Sequence, residues 1–409
     1  MTTEQQPIVF NPLDPAFREN PYPLYSRLVR EEPVHQTLFG VKAFSRYADC
    51  QAMLRDSKRF SSDDRTSPAY GRTGEPFGTA LPGETVTEAD RPFLFMDPPD
   101  HTRLRRLVNI AFSAKTIEAM RPRIQELVDE LLDAVEGREE IDAVAGLAYP
   151  LPVSVICEML GVPREDEPLF RSWSRVLASS LDPDIVLPEG VIEQRAKAIA
   201  DSRQYFRELI ARRGDTRPPD ILSALLAAEE EGDKLSEGEL LSTCTLILIA
   251  GHETTVNLIG NGVFQLLQHP EELAKFRADP DLAPRVVEEI LRFDPPVQFD
   301  GRMATEPVEV GGVRIETGEF VMMLLGAANR DPAQWENPDT FDITRGGEGH
   351  MAFGYGIHFC LGAPLARLES QIALRTFFQR FPDARLLERP TYRAQITLRG
   401  PERLRVGLR

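Results

Sequence analysis

Along most of this chain the apolar residues recur with a helical period. Between 124 and 135 they fall at Ile124, Leu127, Val128, Leu131, Leu132 and Val135, a single stripe along one side of a helix. The same spacing predicts a helix over 285–292, stopped by Pro295 and Pro296. A longer helix is predicted for 236–269. Ser236 and Glu239 stand at capping-box spacing at its start, and Pro270 follows its end. Unbroken, it would run roughly 50 Å at the helical rise, long enough to cross the molecule.

Strand patterns are short and few. Val308-Glu-Val310 and Val313-Arg-Ile315, joined by Gly311-Gly312, read as a hairpin. Residues 39–44 and 392–398 are candidate edge strands. The pattern predicts a mainly α body with a small β portion, in one unit over 1–409. Residues 61–91 are rich in Gly, Pro, Ser, Thr and acids, and a loop of that length usually covers a site.

Charge narrows the choice of partners. There are 47 Lys plus Arg against 64 Asp plus Glu, a formal net charge of −17. Nucleic acid and anionic membrane both reward clustered cations, so neither is expected. The first seven residues lack the basic residues and apolar run of a signal peptide, and the most apolar stretch, 246–250, is too short to span a bilayer. A soluble, cytoplasmic monomer is expected. Of the four cysteines, Cys50, Cys157 and Cys244 read as small buried hydrophobes, and no two cysteines stand at metal-site spacing.

Cys360 keeps different company, in Phe353-Gly-Tyr-Gly-Ile-His-Phe-Cys-Leu-Gly362. Gly354, Gly356 and Gly362 are expected to let the backbone turn tightly and approach something flat. Pro364 marks the first turn of a following helix, so the sulfur sits near a positive dipole end that favours thiolate. Such a thiolate is a ligand or a nucleophile, and no base-and-orienter arrangement for a nucleophile stands nearby.

This stretch resembles the haem-binding loop of the cytochrome P450 family, in which a cysteine thiolate ligates the haem iron. The resemblance implies that family's mainly α, triangular-prism fold and haem b (iron protoporphyrin IX) as cofactor. Cys360 would be the proximal iron ligand, with His358 on a haem propionate, Phe353 shielding the sulfur and Gly362 beside the ring. Glu289-Ile-Leu-Arg292 matches the family's buried brace, a scaffold rather than a chemical element. In Met96-Asp-Pro-Pro-Asp-His101-Thr-Arg-Leu-Arg105, His101 and Arg105 share a helix face and match propionate ligands, as does Arg302. Arg103 and Arg106 would then form a cationic patch for an acidic redox protein.

Ala250-Gly-His-Glu-Thr-Thr255 places glycine and two threonines inside the long helix, against helix propensity. Thr back-bonding explains such a stretch without function. The resemblance makes it the oxygen-binding groove, with Glu253 and Thr254 relaying protons to the outer oxygen before the O–O bond breaks. His252 is expected to face away. The implied reaction inserts one atom of O2 into a lipophilic molecule, with electrons from a ferredoxin and its reductase, as in the soluble bacterial members that tailor macrolides and other polyketides. Leu246, Ala250, Val297, Phe299 and Leu398 are the expected substrate pocket, with the 61–95 loop above them. A peroxide-fed peroxygenase, which needs no relay, and a non-catalytic haem sensor are the alternatives.

Overall fold

A computed structural model of the protein describes residues 7–38, 40–63, 91–178, 181–182, 187–230, 232–345 and 349–409. Seven helices position the site: α1 (Asp100–Ala111), α2 (Arg121–Asp133), α3 (Pro150–Met159), α4 (Glu237–Gly251), α5 (Glu253–Gln268), α6 (Ala283–Phe293) and α7 (Ala363–Arg380). The stripe predicted over 124–135 is the buried face of α2, with Ile124, Leu127, Val128 and Leu132 inside. These residues join Ile259 and Val263 of α5, Val286 and Ile290 of α6, and Leu374 and Phe377 of α7 in one apolar cluster. Each such side chain contributes about 1.5–3 kcal/mol by leaving water. α7 packs on α2, α5 and α6 at once, so the segment before it is held from three sides.

The long central helix is two helices. Its start is as expected: the Glu239 amide donates to Ser236 Oγ (3.3 Å), and the Ser236 amide donates to Glu239 Oε2 (2.8 Å). It breaks at His252, where φ is −108° and ψ −51°. Gly251 shows why a small residue stands beside the break. A Cβ there would lie 2.6 Å from Ile156 Cδ1, so α4 and α3 meet backbone against side chain.

A five-stranded sheet runs in the order Val34–Gln36, Lys42–Phe44, Phe320–Met323, Asp300–Ala304, Phe60–Ser61. Lys42–Phe44 is therefore not an edge strand. It pairs antiparallel on one side and parallel on the other, and both Ala43 and Phe44 are fully buried, as a strand covered on both faces must be. The 308–315 hairpin forms as predicted. Residues 392–398 are not one strand: Thr391–Tyr392 pairs with Pro401–Arg403, and Leu398 alone bridges to Val297. The covering loop expected from 61–91 lies outside the described residues between 64 and 90. Among the described residues no helix is long and apolar enough to cross a membrane.

Candidate active site

The cysteine loop is closed by its own backbone: the Gly354 amide donates to Met351 O (2.9 Å) and the Cys360 amide to Phe353 O (2.9 Å). Gly354 and Gly356 take φ of +67° and +72°, where other residues are strained. A Cβ on Gly356 would also sit 2.5 Å from Leu54 O. Gly362 differs from expectation: its φ is −82°, so it caps α7 without needing glycine's freedom. A Cβ there would meet nothing within 4 Å, which leaves open space beside the sulfur's helix.

Cys360 lies two residues before the α7 cap. Burial pushes its thiol above the ordinary range, against the Gly362 amide, Arg105, the Ala363 amide and Arg367, which pull it down. The dipole at the helix start therefore does not by itself secure a thiolate here; a bound metal ion, which deprotonates a coordinating thiol, would. Arg367 stands 4.6 Å over the Phe353 ring and is anchored by Glu288, so the loop's aromatic residue is clamped beside the cysteine.

Four basic side chains converge next to the loop. His101 and His358 have ring centroids 4.2 Å apart. Both His101 nitrogens and His358 Nε2 are buried without a hydrogen-bond partner among the described residues. Arg105 donates to Phe359 O (2.6 Å), and Arg302 to Asp300 Oδ1 (2.7 Å) and Gly301 O (2.6 Å). Burial, then Arg105, lowers His101 to about 4; burial, then Arg302, His101 and Arg105, lowers His358 to about 2. Orphaned ring nitrogens beside two guanidinium groups form a site suited to an anion. A dicarboxylate such as the two haem propionates satisfies the donors and reverses the repulsion, so these residues fit the group.

At the break between α4 and α5, Glu253 is 1% exposed and forms an ion pair with Arg393. Thr254 Oγ1 donates to Ala250 O (2.9 Å), and Thr255 Oγ1 to Gly251 O (3.4 Å). The back-bonding that needs no function is thus real, and it leaves the Thr254 oxygen free to accept. His252 is buried, with Nε2 3.6 Å from Glu253 Oε2. Nothing in the sequence pointed to Arg393, which lies far from every motif.

The brace is buried as expected. Glu289 and Arg292 are both 0% exposed and joined by two hydrogen bonds of 2.8 and 2.7 Å. Arg292 also donates to Asn329, Pro338 and Thr340 carbonyls, and Asn329 Oδ1 accepts the Met351 amide (2.7 Å) at the entrance to the cysteine loop. The expected pocket is only partly assembled. Val297 and Leu398 pair directly, and Leu246 and Ala250 belong to the main apolar cluster. Phe299 packs elsewhere, with Phe10, Tyr25 and Ile396. Arg103 is not a bare docking cation either, since it forms ion pairs with Asp233 and Glu239.

A half-buried cysteine loop capped by α7, a basic nest for a dicarboxylate and an acid at a helix break point to a haem-thiolate oxygenase. The cytochrome P450 family model matches residues 76–384. Cytochrome P450 107B1 of Saccharopolyspora erythraea is 44% identical, over 99% of each chain. The 6-deoxyerythronolide B hydroxylase of the same organism is 39% identical, over 96% of this chain and 97% of that one. The solved structure of Mycobacterium smegmatis CYP164A2 superposes with a TM-score of 0.87 at 44% identity, covering 97% of this chain and 98% of that one. This chain belongs to the cytochrome P450 family: it has the mainly α, prism-shaped fold, haem as cofactor and monooxygenase activity.

Proposed function

We propose that the protein hydroxylates or epoxidises a lipophilic small molecule with one atom of O2, drawing two electrons from a ferredoxin and its reductase. When bound, the haem supplies the iron at which dioxygen is activated. Cys360 would ligate the iron, and His101, Arg105, Arg302 and His358 would hold the propionates, with Phe353 beside the sulfur and Gly362 leaving room for the ring. The observation that carries the oxygenase reading is the buried Glu253 carboxyl at the helix break, next to a Thr254 hydroxyl fixed as an acceptor. Glu253 would bring a proton to Thr254, whose oxygen would hold it toward the site. Leu246, Ala250, Val297 and Leu398 supply apolar lining on that side. A lipophilic substrate agrees with the relative named as a hydroxylase of 6-deoxyerythronolide B. With a net charge of −17, docking of an acidic electron donor would need a local cationic patch, such as one beside the cysteine loop.

The test is reconstitution with haem, NADH, ferredoxin and ferredoxin reductase. Lipophilic compounds are first screened by the spin-state shift that accompanies loss of iron-bound water. A shifting compound should be converted to a product carrying one oxygen from labelled O2. Turnover with peroxide alone would replace this reading by a peroxygenase, and binding without any product by a non-catalytic haem protein.

A further inference from the structure

The relay just proposed uses Glu253 and Thr254 and leaves His252 unused. Yet His252 is 1% exposed and occupies the break itself. Its Nδ1 lies 2.6 Å from Leu248 O. A carbonyl only accepts, so Nδ1 carries the ring hydrogen, and in the neutral ring Nε2 is a bare acceptor. That nitrogen has no hydrogen-bond partner among the described residues and stands 3.6 Å from Glu253 Oε2. Two acceptors facing each other out of water repel unless a proton lies between them. The second carboxyl oxygen, Oε1, faces the Arg393 guanidinium. One carboxyl thus has two neighbours that favour opposite protonation states.

We propose that His252 is a positioning residue that selects the protonated form of Glu253 by accepting its O–H at Nε2, while Arg393 selects the ionised form. Arg393 has a route outward: its side chain is 23% exposed and lines a shallow surface cleft with Phe17, Gln298, Tyr392, Ile396 and Leu398. As the guanidinium withdraws, one proton from water enters the pair and binds Oε2 against Nε2. It leaves toward Thr254, and Arg393 returns to the carboxylate. His252 begins and ends neutral, and no electrons move. Burial and the facing Arg393 hold the imidazole down at about 4, against the Leu248 bond, so it stays an acceptor at neutral pH. Besides Glu253 and Arg393, no charged group is found against the ring among the described residues.

This inference rests on Glu253 as the proton carrier, and two readouts keep the ideas apart. The first is the infrared band of the protonated Glu253 carboxyl in the haem-loaded, ferrous carbon monoxide form. It is assigned by its loss in Glu253→Gln and followed against pH. His252→Phe should move its midpoint down by about one pH unit, a tenfold loss of protonated acid at a given pH. Arg393→Gln should move it up. The second is the nitrogen resonance of His252 in the unsubstituted protein, which should report Nδ1–H with bare Nε2 at neutral pH. An Nε2–H tautomer or an imidazolium there would overturn the proposal even if His252→Phe failed to fold. So would a midpoint unmoved by both substitutions. Product formed per NADH in Glu253→Gln tests the carrier role separately: full coupling would remove the relay while leaving the His252–Glu253 pairing to the infrared result.

Discussion

Thr254 donates its hydroxyl hydrogen to Ala250, so its oxygen is the part of the residue turned to chemistry. Thr254→Ala removes that acceptor without touching the basic nest. Haem loading should be unchanged, while product per NADH falls by about tenfold or more and peroxide rises in step. Tightly coupled turnover in this variant would remove Thr254 from the mechanism. Cys360→Ala should abolish both activity and the thiolate-type spectrum, read by absorbance after reconstitution. Both residues were legible in the sequence because each sits in a dense local motif. His252 stands in the same motif, yet its direction was not legible there. Its partners, Leu248 O and Glu253, are set by the helix break, which the sequence marked only as poor helix propensity at Gly251, Thr254 and Thr255.

At the scale of elements, α6 carries the most costly arrangement, an ion pair sealed from water. Glu289 holds two of the Arg292 nitrogens, and three backbone carbonyls take the remaining three N–H donors. Removing one partner leaves a buried charge alone, so Arg292→Ala should lower unfolding free energy by about 3–5 kcal/mol, measured by denaturant titration. A loss below ~1 kcal/mol would show the pair to be solvated. The meeting of α4 with α3 makes a second prediction. Gly251→Val drives methyl groups into Ile156 and should cost about 1–3 kcal/mol, with partial recovery in the Ile156→Ala background. This contact was not legible locally, because Ile156 lies far before Gly251 in the chain. The capping box, the α2 stripe and the stop before Pro295 were legible because each is decided within a few residues. The interior place of Lys42–Phe44 was not, because Phe320–Met323, its second neighbour, is remote in the chain.

For the whole molecule, pH is the variable that separates the haem-free from the haem-loaded protein. His101 and His252 are each held at about 4, below the ordinary value near 6.5. The unfolded chain therefore takes up protons first. Stability is full above about 6.5 and is lost as pH falls toward 4, by at most ~3 kcal/mol for each group. Glu288, held at about 2 by His350 and Arg367, adds a loss below about 4.5. Urea midpoints of the haem-free protein should fall between pH 7 and pH 5, and His101→Gln should reduce the fall. A midpoint independent of pH would contradict the burial of neutral histidines. Propionates bound at the nest favour the charged His101, so the haem-loaded protein should lose less over the same range. The main helical core and the cysteine loop could be read from residue spacing alone. The substrate pocket could not, since Phe299 and Leu398 take their places from packing across the molecule.

The proposed oxygen chemistry depends on Cys360 ligating the iron, and one absorbance spectrum tests that ligation. The reconstituted protein is reduced, exposed to carbon monoxide and scanned across the Soret region. A strongly red-shifted band, absent in Cys360→Ala, is the predicted result. A band at the position typical of histidine ligation, or a protein that takes up no haem, would contradict it.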